Sequence, residues 1–189
     1  MTLWSLDLET GGLDARKDAV LAVGMVPVRL GVVRLGEAYA SLVRPGADEA
    51  IREDSIRAHH LVPSEVAQAP AREAVVRELE RRLAGSALLV HNAAIDLPFL
   101  RRLFRASNRR WPAPPLVDTV NLLWAWQKRL RFQDPDGTAA PPLHLGEARA
   151  RLGLPPHVLH DALSDAVATA ELFLVLASRL GARTLADLR

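Results

Sequence analysis

Apolar and polar residues alternate at the start of the chain. Across residues 3–9, Leu6 and Leu8 fall on one side of an extended backbone, and Asp7 and Glu9 fall on the other. The pattern predicts a strand, ended by the turn signal Thr10-Gly11-Gly12. Residues 19–29 and 31–43 are rich in Val, Leu and Ala. They predict a second and a third strand, joined near Leu30-Gly31 as an antiparallel meander. A polar segment follows Arg44-Pro45-Gly46, and Ser64 is placed to cap a short helical turn over residues 65–67.

Further along, Val75, Val76, Leu79 and Leu83 recur at helical spacing, and Gly85 ends that helix. Ala87-Leu88-Leu89-Val90 is wholly apolar, as a strand in the middle of an α/β sheet is. A helix is predicted over 97–107, with Pro98 in its first turn. A short strand over 116–119 leads into a helix over 120–130, and a loop covers 133–142. A short helix over 145–152 is closed by Gly153, and Pro155-Pro156 holds the chain extended. A long amphipathic helix over 162–180 ends at Gly181, with a last turn over 184–188. A meander followed by alternating strand and helix implies an α/β fold, a mixed sheet with helices on its faces. No repeat or shift of composition divides residues 1–189, which read as a single domain.

Composition narrows the chemistry. Cysteine is absent, so disulfides and thiolate metal sites are excluded, and any metal must be held by oxygen or imidazole. No apolar run approaches the length of a membrane span, and no secretory leader is visible at the start. A cytoplasmic protein without a membrane partner is the expectation. The pI of about 9.6 overstates its basicity, because formal net charge is only +2. The basic residues are almost all arginine, which suits phosphate contacts but equally reflects genome bias.

Three places carry acids that structure alone does not explain. The Cα atoms of Asp7 and Glu9 lie roughly 6–7 Å apart along a strand. Two acids that close resist joint ionisation, and a divalent cation is the simplest thing that makes the pair favourable. An isolated D-x-E pair is most often a solvated edge-strand face, so the other acids decide. Asp96 lies just past the strand Ala87–Val90, where ligands of α/β sheets gather. Asp165 opens the long helix, with His160 five residues earlier. At about 100° per residue those two do not share a helix face, so His160 belongs to the preceding loop. Asp161 is placed as the helix N-cap. Four acids and a histidine brought together suit phosphodiester hydrolysis with two cations and a histidine base.

Taken in order, Asp7-Leu8-Glu9-Thr10-Gly11-Gly12-Leu13, His91-Asn92-Ala93-Ala94-Ile95-Asp96-Leu97-Pro98-Phe99-Leu100 and His160-Asp161-Ala162-Leu163-Ser164-Asp165-Ala166 resemble the motifs of the DEDDh 3′→5′ exonucleases. This DnaQ-like group contains the proofreading subunit of bacterial DNA polymerase III. The resemblance implies a ribonuclease-H-like fold with a five-stranded mixed sheet. It implies that Asp7, Glu9, Asp96 and Asp165 hold two divalent ions, Mg²⁺ or Mn²⁺, and that His160 is the general base. Thr10 and Gly11 would meet the terminal nucleotide and Leu13 would wedge beside the last bases. His59, His91 and Asn92 match family positions near the substrate, although His59 also reads as a solvated loop residue and the other two as loop-shaping residues. Phe99 reads as core. The family usually carries an aromatic where Ile95 stands.

The expectation is therefore a metal-dependent 3′→5′ exonuclease releasing nucleoside 5′-monophosphates from single-stranded DNA, with RNA as the alternative substrate. A DNA polymerase subunit is a candidate partner. A binding module that has kept the fold but not the chemistry competes with this reading, though all five residues are present. A two-carboxylate glycosidase explains neither His160 nor four acids. Arg101, Arg102, Arg105, Arg109 and Arg110 form one basic group, and Lys128, Arg129 and Arg131 another. Both read as solvated faces in preference to a nucleic-acid footprint, because the family's pocket grips one frayed end.

Overall fold

The computed structural model describes residues 1–133, 140–182, 184 and 187. The expected loop over 133–142 and the expected last turn over 184–188 lie largely outside them.

Strand β1 (Leu3–Thr10) is central because both of its faces are covered. It pairs antiparallel with β2 (Val20–Arg29), placing Asp7 opposite Gly24 and Glu9 opposite Ala22. The register shifts between Glu9 and Thr10, so the strand breaks step just past its two acids. On its other side β1 runs parallel to β5 (Ala87–Val90), which runs parallel to β6 (Leu116–Asp118).

The mixed α/β architecture matches the expectation, but among the described residues the sheet has six strands where five were expected. The predicted third strand is two, β3 (Val32–Val33) and β4 (Tyr39–Leu42), both pairing with β2. Between them a 3₁₀ turn over Leu35–Glu37 closes with bonds from Glu37 N to Arg34 O and from Ala38 N to Leu35 O. That turn takes the backbone out of the ladder, and Glu37 leaves it to pair with Arg29.

Alternation along the strands sorts the core into two layers. Trp4, Leu6, Leu8, Val23, Met25, Leu88 and Val90 meet α3 (Arg72–Leu83) and α4 (Ala93–Ala106) on one face. Leu3, Val26, Val28, Leu89 and Val117 meet α5 (Thr119–Gln133), α6 (Leu145–Arg151) and α7 (Ala162–Leu180) on the other. Two shorter helices, α1 (Glu53–His59) and α2 (Pro63–Ala67), lie in the segment read as polar. Ser64 is not the cap of α2, which begins at Pro63 after Val62. Proline suits that first position, since its missing N–H would have no partner there.

Helix α4 starts at Ala93, four residues before the predicted boundary, and leaves Pro98 inside it. The Asp118 carboxylate explains the early start. It accepts from Asn92 N at 3.0 Å and Ala93 N at 2.9 Å, and so supplies from a neighbouring strand the cap that Asn92 does not give.

The N-terminus of α7 lies directly on the sheet. A Cβ on Gly24 would come within 2.1 Å of the Ala162 carbonyl oxygen, so only glycine admits the helix here. The buried Ser5 hydroxyl donates to Ala166 O at 2.7 Å and fixes the same approach from β1. Asp161 caps α7 as expected, accepting from Ser164 N at 2.8 Å. Among the described residues no helix is long and apolar enough to cross a membrane.

Candidate active site

Asp7 and Glu9 share the face of β1 that Ser5 presents to α7, while Leu6 and Leu8 point into the opposite layer. Because Gly24 lets α7 settle against β2 beside Asp7, the first turn of that helix delivers Asp165 to the same place. One ligand atom from each of Asp7, Glu9 and Asp165 lies within 4.8 Å of the others, a spacing that can hold a metal ion. Asp96 stands buried in the first turn of α4 and is not within that tight trio. It is close enough that its charge is the largest influence on Asp7 after burial.

These carboxyls are strained as ions. Burial, then the charges of Asp96, Asp165 and Glu9, push Asp7 well above the usual carboxylate range. Burial, then the charges of Asp165, Asp161 and Asp96, raises Glu9 to about 8. Burial and the charge of Asp118 raise Asp96 to about 8. Asp165 is also raised by burial, against the opposing pull of a hydrogen bond to His157. Among the described residues no lysine or arginine forms an ion pair with any of the four. Acids with no lysine or arginine partner among the described residues, three of them within ligand reach, are a donor set that hard divalent cations fit.

His160 sits in the loop before α7, as expected, at φ 59°. Its backbone N donates to Asp165 Oδ2 at 2.9 Å. Together with Glu9, Thr10, Leu13 and His59 it lines a cavity of about 740 Å³. Leu13 is 83% exposed at the rim of that cavity. The Thr10 hydroxyl donates to Gly12 O at 2.7 Å, and a Cβ on Gly11 would lie 2.3 Å from the Ala50 carbonyl, so the turn is held tightly. His59 is buried, not solvated. Its Nδ1 accepts from Leu61 N at 3.0 Å, and Nε2 is shut off from solvent. Burial lowers its pKa, so the ring is neutral at pH 7.

His91 and Asn92 border a second cavity, of about 600 Å³, with Asp7, Ile95, His160 and Asp165. Both His91 ring nitrogens are engaged within the protein, Nδ1 with Thr119 Oγ1 at 2.7 Å and Nε2 with Leu143 O at 2.8 Å. A carbonyl only accepts, so Nε2 carries a proton toward Leu143 O. Asn92 turns the chain at φ 69°. Ile95 is 44% exposed where the family usually has an aromatic, and Phe99 is buried in the core.

Two residues near the acids were not singled out from sequence. His157 Nε2 lies 2.7 Å from Asp165 Oδ1, and Asp118 caps α4 while its charge presses on Asp96. The Asp118-Thr119 step before a helix is a capping signal in its own right. Nothing in the spacing of His157 points to Asp165.

Residues 5–173 match the family model for the RNase T type of exonuclease. The chain belongs to that exonuclease family. The resemblance to DnaQ-like enzymes seen in its motifs stands with it. A DNA polymerase III subunit epsilon-like protein of Rhodobacter capsulatus is 34% identical over 186 residues, covering 98% of this chain and 25% of that protein. DNA polymerase III subunit epsilon of Treponema pallidum is 26% identical over 170 residues, covering 89% of this chain and 73% of that protein. This member of the exonuclease family thus spans about a quarter of the length of the first relative. Its fold is that of Escherichia coli Exonuclease I in complex with a dT13 oligonucleotide, with a TM-score of 0.79 and 17% identity over 95% of this chain and 42% of that one.

Proposed function

We propose that the chain is a metal-dependent 3′→5′ exonuclease that takes nucleoside 5′-monophosphates from the end of single-stranded DNA. The carrying observation is the convergence of Asp7, Glu9 and Asp165 within 4.8 Å beside a cavity walled by Thr10, Leu13, His59 and His160. We read residues 1–189 as a single exonuclease domain.

Asp7, Glu9, Asp96 and Asp165 are the residues to hold two divalent cations, Mg²⁺ or Mn²⁺. Such ions, when bound, supply an acidified water and offset charge on the phosphodiester oxygens. The protein does the rest. Thr10, on the cavity wall, and Gly11 beside it meet the terminal nucleotide, and Leu13 at the cavity rim meets the last base. His160, on its own loop, takes a proton from the attacking water. His59, buried beneath the cavity it helps to line, meets the substrate through that wall. His91 and Asn92 contribute to the wall of the second cavity through the loop they shape. The names of the relatives support a DNA polymerase subunit as a partner.

The test is direct. Single-stranded DNA and RNA of equal sequence, labelled at the 5′ end, are digested side by side with Mn²⁺ and the products are sized. A ladder shortening from the 3′ end, faster on DNA, is expected. Faster digestion of RNA moves the substrate class to RNA, and release of no nucleotide from either overturns the exonuclease reading.

A further inference from the structure

We propose that a cavity at the far end of α4 binds the phosphate backbone of a nucleic-acid strand, apart from the acidic cluster. The inference rests on the exonuclease reading only for the identity of the strand.

This cavity has a volume of about 530 Å³ and is lined by Arg101, Arg105, Asn108, Arg109, Arg110 and Trp111. Among the described residues no carboxylate lines it. Arg109 is engaged with Glu80, through Nε at 3.1 Å. Arg101, Arg105 and Arg110 are exposed and form no ion pair with a described residue, although the other arginines of this face do. Three unneutralised guanidinium groups around one hollow repel each other, and an anion bridging them relieves that repulsion.

The arrangement is built. Arg101 and Arg105 are one helical turn apart on α4. Asn108, at φ 53°, then turns the chain back, with Asn108 N bonded to Arg105 O and Arg109 N to Phe104 O. That turn brings Arg110 and Trp111 to the same hollow. Trp111 is held edge-on against Phe104, with ring centroids 5.1 Å apart and an interplanar angle of 86°. A fixed aromatic wall among arginines is the chemistry that single strands use, phosphate on guanidinium and sugar or base on the ring.

Basic residues also favour helix C-termini for the sake of the dipole. That accounts for Arg105 in the last turn of α4, but not for Arg101 before it or Arg110 beyond it. The fixed Trp111 ring favours a strand over an acidic peptide, whose carboxylates need no stacking face. At about 100° per residue Arg101 and Arg105 point away from the buried side of α4 that carries Asp96, so the hollow is separate from the acidic cluster.

The experiment measures binding without metal, so it does not depend on catalysis. A fluorescent single-stranded DNA of about twelve nucleotides is titrated in EDTA with the wild type and with Arg101→Ala/Arg105→Ala/Arg110→Ala. The variant is expected to bind about tenfold more weakly, with a salt slope shallower by about 2, at roughly 0.7 per phosphate contact. A control variant, Lys128→Ala/Arg131→Ala, changes another exposed basic group and should stay within about twofold of wild type. Equal affinity and slope in the triple variant overturn the inference, as does equal weakening in the control. Tight binding of an acidic peptide, lost in the triple variant while DNA binding persists, overturns it in favour of protein docking. Failure of the exonuclease reading shows separately, as wild type that binds DNA but releases no nucleotide with Mn²⁺.

Discussion

His157 Nε2 lies 2.7 Å from Oδ1 of Asp165, the carboxylate that α7 contributes to the acidic cluster. The other oxygen of Asp165 accepts from His160 N at 2.9 Å. Both oxygens are therefore oriented by the loop before the helix. Removing such a support from a metal-binding carboxylate costs about 10–100-fold in metal affinity or activity. His157→Ala should raise the Mn²⁺ concentration for half-maximal activity by at least about tenfold, and His157→Gln should recover part of the loss. Unchanged Mn²⁺ dependence in both variants contradicts this role.

His160 should behave differently. It is assigned the proton from the attacking water, so His160→Ala should lower kcat by about 10²–10⁴ while Mn²⁺ binding stays near wild type. A calorimetric titration beside the rate measurement separates the two histidines. Collapse of metal binding in His160→Ala would mean that the residue serves the cations, not the proton.

The raised carboxyl pKa values set the sign of the pH dependence. Unfolded carboxylates ionise near pH 4, whereas folded Glu9 and Asp96 do so at about 8 and Asp7 is also raised. Between those limits the native state binds more protons than the unfolded state, so these groups make stability fall as pH rises. Their contribution is full below about pH 4 and lost as pH passes about 8. The melting temperature of metal-free protein should fall from about pH 5 to 9, less steeply in Asp7→Asn. Millimolar Mn²⁺ should offset the fall, because cations bind the deprotonated acids. A metal-free Tm that climbs over this range counts against the buried acid cluster.

Gly24→Ala tests the seating of α7. The new methyl would lie 2.1 Å from the Ala162 carbonyl, so the helix carrying Asp165 must move. Overpacking of this kind costs about 1–3 kcal/mol, and each kcal/mol lowers Tm by about 2–4 °C in a domain of this size. Activity should fall further than lost stability explains, even well below the melting temperature. A variant that melts lower but keeps full activity would show that the position of Asp165 tolerates the shift.

Much of this site was legible in the sequence because its parts are locally encoded. Period-two alternation put Asp7 and Glu9 on one face, and the helical start after Asp161 fixed where Asp165 would stand. What escaped depends on distant partners. The early start of α4 relies on Asp118, more than twenty residues away. His157 finds Asp165 across a loop with no regular period. Helix α1 was missed because its residues are mostly charged and polar, held by an Arg57–Glu53 pair and ended by His60 at φ 59°. The third strand was drawn too long because its apolar run continues through a 3₁₀ turn that hydropathy does not register.

The most direct measurement is a calorimetric titration of Mn²⁺ into wild type and Asp7→Asn at about pH 8, where Glu9 and Asp96 lose their protons. Saturable binding of two ions to the wild type, severely weakened in a stably folded Asp7→Asn, is the expected result. No saturable binding, or equal binding in both proteins, would contradict an active site built on these carboxylates.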